Sequence, residues 1–217
     1  MKTGPLIEIV GPPDCGKRLV GAQIARKLGG RFFSFPTLNV LSATGGALLS
    51  LLVNHPQELE SNPEWWSHIY AANLFEMRGQ LLDALNQGPV VVTNYIQGFK
   101  IWAEVAREED KRTLWGYTTG LPAPNTVLHL WGDTWESPGN FKVHLSQSLQ
   151  MRLRSAYQRS AVHQKFTLLW EEEKYRHLVL NKCVTAMCNH LKTKYPTLEI
   201  NPFIQFAYTD FMKKRDQ

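Results

Sequence analysis

Residues 7–21, IEIVGPPDCGKRLVG, constrain this chain more than any other stretch. A β-branched apolar run ends at Val10, Gly11 follows at once, and four residues later Gly16-Lys17 opens a segment with helical periodicity. A glycine loop between a strand and a helix binds phosphate because its backbone N–H groups converge on an anion and the helix N-terminus adds partial positive charge. Gly11 and Gly16 provide the backbone freedom and Lys17 the point charge. A plain strand-to-helix turn with an incidental lysine is the competing explanation. The apolar strand before the loop and the periodic helix after it favour the phosphate cradle.

The remaining pattern extends this start into an alternating fold. Apolar, β-branched segments bounded by Gly, Pro or Asn predict strands at 6–10, 31–35, 89–93, 126–131 and 198–200. Between them, helical periodicity covers 17–28, 45–53, 63–86, 99–107, 145–163, 168–194 and 202–213. Asn62-Pro63 and Asn201-Pro202 are N-cap and first-turn pairs, and Gly88-Pro89 ends the long central helix. Alternating strands and helices imply an α/β three-layer sandwich around a five-stranded parallel sheet, with the loop strand at its centre. A chain of 217 residues without internal repeat or linker reads as a single domain, 1–217.

Composition removes several function classes. With 43% hydrophobic and 20% charged residues the chain is an ordinary globular one, and no run of about 18 apolar residues marks a membrane span. The first strand begins by Leu6, which leaves no room for a cleavable signal, so the default compartment is the cytoplasm, with mitochondria left open. A net charge of +5 is too weak and scattered to name nucleic acid as partner. Cys15, Cys183 and Cys188 neither pair evenly nor show zinc spacing; the latter two, on different faces of one helix, read as small apolar residues. The seven histidines do not cluster, so no metal site is implied.

The chemistry of the loop departs from its shape. A serine or threonine hydroxyl ordinarily follows the lysine and ligates Mg²⁺, but here Arg18 stands in that place. A guanidinium cannot hold a metal, although it pairs well with phosphate oxygens, so ATP remains an admissible ligand while Mg²⁺ loses its anchor. Asp14, inside the loop, repels an anion unless it points outward.

Further motifs follow in order over about residues 6–131. Ser34-Phe35-Pro36 ends the second strand, Thr44-Gly45-Gly46-Ala47-Leu48-Leu49 starts a helix, and 69-IYAANLFE-76 lies on the next one. Then 90-VVVTNY-95 is an apolar strand with a polar end, and 120-GLPAPN-125 precedes the fourth strand. Together with the loop these segments resemble thymidylate kinase, a nucleoside monophosphate kinase of the P-loop fold. The resemblance implies phosphate contacts from Gly11, Gly16, Lys17 and Arg18, base packing by Phe35, Pro36 and Tyr70, and a pocket wall of Asn73, Tyr95 and Gly98. It also implies a lid near 133–165, where Arg152 and Arg159 share a helix face with Arg154 to the side. In an active enzyme Lys17, Arg152 and Arg159 would be catalytic; a solvated basic helix explains the same spacing.

The charged positions depart from the family it resembles. Ser34 replaces an arginine on the acceptor phosphate, Leu74 an arginine that reads the base, Thr93-Asn94 an Asp-Arg pair, and Pro13 an acid near the sugar. Phosphoryl transfer is almost wholly positioning and electrostatics, so these losses remove the catalyst. The expectation is a pseudoenzyme that keeps the scaffold for a nucleotide (ATP, dTMP) or for a protein partner, a second copy or a larger assembly included. The alternative is a divergent kinase passing the ATP γ-phosphate to dTMP. Trp65, Trp66, Trp102, Trp115, Trp131, Trp135 and Trp170 read as packing residues, or as a partner surface if several are exposed. Glu171-Glu172-Glu173 reads as a solvated face.

Overall fold

The structure, a computed structural model, describes residues 4–13, 15–37, 42–55, 61, 63–107, 116–132, 146–160, 165–168 and 176–201. Its centre is β1 (Leu6–Val10), every residue of which is buried. It pairs in parallel with β3 (Val90–Thr93) and β4 (Thr126–Gly132), in the registers Leu6 to Val90 and Ile7 to Thr126. β2 (Arg31–Ser34) flanks β3 and β5 (Lys165–Leu168) flanks β4, both parallel, giving the order β2-β3-β1-β4-β5. A fully parallel sheet requires cover on both faces, which is why these strands are continuous apolar runs.

The two-residue period of the strands divides the core. Leu6, Val10, Val90 and Val92 point to one face. There they meet α3 (Pro63–Glu76), α4 (Arg78–Gln87), α5 (Ile96–Arg107) and α6 (Gln147–Ser160) through Tyr70, Leu74, Leu81, Phe99 and Leu153. Ile7, Ile9, Val91, Leu128 and Leu130 point to the other face. They pack against α1 (Lys17–Lys27) and α7 (Arg176–Lys194) through Leu19, Val20, Ile24, Val184, Met187 and Leu191. The result is the expected three-layer α/β sandwich. α2 (Ala43–Asn54), capped by Ser42 Oγ accepting from the Gly45 N–H (2.8 Å), packs on α3.

Three differences from the sequence pattern have physical causes. The fifth strand is Lys165–Leu168, not 198–200. Leu198 instead plugs the second core face, held by its N–H to Tyr195 O (2.9 Å) and by Lys192 Nζ to its carbonyl (2.8 Å). The long helix expected over 63–86 is two helices that part at Met77, whose φ of −82° and ψ of −6° flatten the turn. Cys183 and Cys188 lie in one core cluster rather than on different faces, because Cys183, Val184, Met187, Cys188 and Leu191 make a single broad stripe. Among the described tryptophans Trp65 is exposed at 59%, while Trp66, Trp102 and Trp131 are buried or half-buried. Asp14, Asn62, Trp115, Trp135, Trp170, Glu171 to Glu173, the helix expected at 202–213 and part of the expected lid lie outside the described residues. No described helix is long and apolar enough to cross a membrane.

Candidate functional site

The loop leaves β1 through Gly11, where a Cβ would lie 2.1 Å from Leu130 O and 2.8 Å from Cys15 Sγ, so only glycine allows the chain to pass β4 this closely. Gly16 has φ 86° and ψ 12°, the left-handed turn that starts α1. No side chain caps α1 and its first turn carries no acid, while Arg26 and Lys27 complement the dipole at the far end. That N-terminus is built to accept negative charge. Lys17 is buried and folds back on the loop, donating from Nζ to Pro12 O (2.5 Å) and reaching Cys15 Sγ at 3.8 Å. Burial pushes the Cys15 thiol up, and Lys17 draws it partly back.

Across from the loop, the ends of β2 and β3 carry hydroxyls. Arg18 Nε donates to Ser34 Oγ (2.9 Å), and the buried Thr93 hydroxyl donates to the same oxygen (3.1 Å). Next to Thr93, Asn94 takes φ 52°, the one positive-φ non-glycine among the described residues, a conformation asparagine tolerates. Its N–H bonds Ile9 O (3.2 Å), its carbonyl accepts from Tyr70 Oη, and its buried Oδ1 has no hydrogen bond. That side chain fills the space over Gly98, where a Cβ would come within 3.0 Å of Asn94 Cβ.

Below these groups lies a carboxylate that periodicity alone did not single out. Glu8, fully buried in β1, accepts from the N–H groups of Gln97 (3.1 Å) and Gly98 (2.9 Å) at the N-terminus of α5. Burial raises its pKa to about 7, against the pull of those backbone bonds and of Lys100. The readable signal was an acid at an inward position of an otherwise apolar strand. Burial also pushes the Tyr95, Tyr70 and Tyr157 hydroxyls up, with the Glu8 charge adding in each case; Arg18 partly offsets the effect at Tyr70.

The residues expected to hold a base do converge here. Phe35 and Tyr95 rings lie 5.2 Å apart, and Tyr70 stands edge-on to Phe99 at 5.3 Å. Asn73 accepts from the Thr37 N–H (2.8 Å) and donates to Thr44 Oγ1 (3.0 Å), clipping the chain after Pro36 onto α2. Phe35, Tyr70, Asn73, Leu74 and Tyr95 are all buried, and Pro36 is half-buried.

Arg152 and Arg159 sit elsewhere. They line an open groove of about 430 Å³ with Glu104, Val105, Met151 and Ser155, and Arg152 donates to Val105 O. Val105 is nine residues into α5, roughly 14 Å from the helix end that meets Glu8. Arg154 is the arginine of α6 that reaches the carboxyl edge of the sheet. It donates to Gly132 O (3.3 Å) at the end of β4 and lies over the Trp131 ring at 5.2 Å.

No protein-family model matches the chain, and no curated protein sequence matches it. Solved structures do. Thymidylate kinase from Candida albicans superposes with a TM-score of 0.67 at 18% identity, over 88% of this chain and 92% of that one. Thymidylate kinase from Ehrlichia chaffeensis gives 0.62 at 14% identity, over 87% and 99%. The fold is that of the thymidylate kinases. Within this thymidylate kinase-like fold the loop between β1 and α1 brings together donors that suit a phosphate anion: the uncapped N-terminus of α1, Lys17 and Arg18. The donor set does not suit Mg²⁺, because the position after Lys17 carries a cation instead of an oxygen that could ligate a metal. Among the described residues no three His, Cys, Asp or Glu side chains gather to hold a metal.

Proposed function

We propose that this chain is a thymidylate kinase-like pseudoenzyme: its loop holds a nucleotide phosphate, ATP being the natural candidate, and it no longer transfers the phosphoryl group. The chain acts as one unit in this reading, free to present its scaffold to a second copy or another protein. The observation that carries the reading is the Arg18–Ser34–Thr93 contact. Where transfer chemistry needs a metal ligand, an acceptor arginine and an acid, this chain has a guanidinium and two hydroxyls bonded to one another. Leu74, fully buried against its own core, supports the loss of base reading from that position.

One observation favours the second reading, a divergent kinase acting on dTMP: Phe35, Tyr70, Asn73 and Tyr95 remain together at the ends of β2 and β3. ADP release and thermal unfolding with ATP, dTMP or both separate the two. The pseudoenzyme gives a midpoint rise of several degrees with ATP near 100 Kd and turnover at least ~10³-fold below a working kinase. ADP release that depends on dTMP at ordinary kinase rates overturns it.

A further inference from the structure

We propose that Arg18 is a phosphate-binding residue that takes the place of a divalent cation, so that the loop accepts the terminal phosphate of a metal-free nucleoside di- or triphosphate. The inference deepens the nucleotide reading of the loop and rests on it.

Position comes first. Arg18 is the second residue of α1, exposed, in a first turn that carries no acid and no side-chain cap. It therefore adds a full positive charge to a helix end that already favours anions. Its direction is fixed as well. The Nε–H bond to Ser34 Oγ (2.9 Å) carries the guanidinium across the mouth of the site, from the loop helix to the ends of β2 and β3. Ser34 Oγ accepts from Thr93 too (3.1 Å), and a hydroxyl has two acceptor positions, so the remaining Ser34 O–H proton can donate to an incoming oxygen. Thr93 is buried and sits on a central strand, so the relay is anchored in the rigid part of the molecule.

The chemistry follows. A guanidinium is planar, always charged, and matched to two oxygens of one phosphate, and holding it at Nε lowers the ordering cost of the long side chain on binding. It also repels Mg²⁺ from the same spot. The phosphate charge that a metal neutralises in related loops is here met by Arg18 and Lys17 together, and a nucleotide already complexed by Mg²⁺ offers Arg18 less to bind.

Calorimetric titration of ATP, in EDTA and in excess Mg²⁺, tests this with the wild-type chain and with Arg18→Gln, Arg18→Ala and Lys17→Ala. The wild type should bind in EDTA within about threefold of its affinity in Mg²⁺, or more tightly. Arg18→Gln and Arg18→Ala should weaken binding in EDTA by roughly ten- to hundredfold, as loss of a charge-assisted bond implies. Arg18→Gln keeps the stem and a donor for Ser34, so its unfolding midpoint should match wild type and its loss of affinity is not a loss of fold. Binding that requires Mg²⁺ overturns the proposal, and so does undiminished affinity in both Arg18 variants while Lys17→Ala abolishes it; either leaves the nucleotide loop standing. A wild-type chain that binds in neither condition overturns the nucleotide reading and this proposal together.

Discussion

The loop between β1 and α1 and the facing ends of β2 and β3 are built from different materials in this molecule. The loop is made of backbone: Gly11 pressed on Leu130, Gly16 at φ 86°, and the uncapped N–H groups of α1. Side chains could change around it, Arg18 and Pro13 included, without altering its shape. The opposite side depends on side chains. There Leu74 and Thr93 are buried, Ser34 and Asn94 are half-buried, and Thr93 donates to Ser34 Oγ, so the wall is made of uncharged side chains packed and hydrogen-bonded to one another. An anion site built from main-chain donors survives substitution, whereas one built from charged side chains is lost one residue at a time.

The sharpest way to break this comparison is at Gly11. If backbone geometry carries the loop, Gly11→Ala forces a methyl group to within 2.1 Å of a carbonyl oxygen that belongs to a central strand and cannot retreat. The expected cost exceeds ~3 kcal/mol, the upper end of overpacking, read from the urea midpoint. A cost below ~1 kcal/mol would mean that the loop yields and that its shape is not what persisted.

The same division explains what could be read from the sequence. The loop was legible because all its determinants lie within a few residues, as were β1 to β4 and α1, whose periodicities are strong and bounded by Gly, Pro or Asn. β5 was not: Lys165-Phe166-Thr167-Leu168 is short and lacks a flanking turn residue, whereas Leu198 and Ile200 mimic a strand but close the second core face. The contacts that define the site join residues far apart in the chain. Arg18 to Ser34, Ser34 to Thr93, Glu8 to Gln97 and Gly98, and Arg154 to Gly132 exist only once the sheet has formed. Helical spacing related Arg152 to Arg159 correctly but could not say that their shared face looks toward the end of α5.

Glu8 gives a second test, smaller in size. If the β3 side is now core, its carboxylate should behave as one held in apolar surroundings, with Tyr70, Tyr95 and Tyr157 nearby. Its folded pKa, about 7, lies above the ordinary value of 4.5, so the native state binds the proton more tightly than the unfolded chain. The resulting stability is complete below pH 4.5 and is lost as pH rises through 7, by roughly 3 kcal/mol. Urea midpoints of wild type and Glu8→Gln from pH 4 to 8 isolate this part, since other titrating groups, such as the half-buried His129, are common to both. The difference between the two proteins should change by that amount across the window. A difference that stays flat would place Glu8 in a wet cleft and return the facing side to the status of an open site.

The smallest effect is expected at Thr93. Its hydroxyl donates to Ser34 Oγ, but that oxygen also accepts from Arg18 and lies in a half-buried residue that water can reach. Thr93→Val therefore removes a bond whose acceptor keeps another partner, and it replaces a buried hydroxyl by a methyl in an apolar strand. The two contributions nearly cancel, for a net cost under ~1 kcal/mol in the urea midpoint. A cost of ~3 kcal/mol would reveal that Thr93, Ser34 and Arg18 form a stiff network in which each member depends on the others. The side-chain half of the site would then be as firmly constructed as the backbone half, and the contrast between a surviving cradle and a relaxed opposite wall would fail.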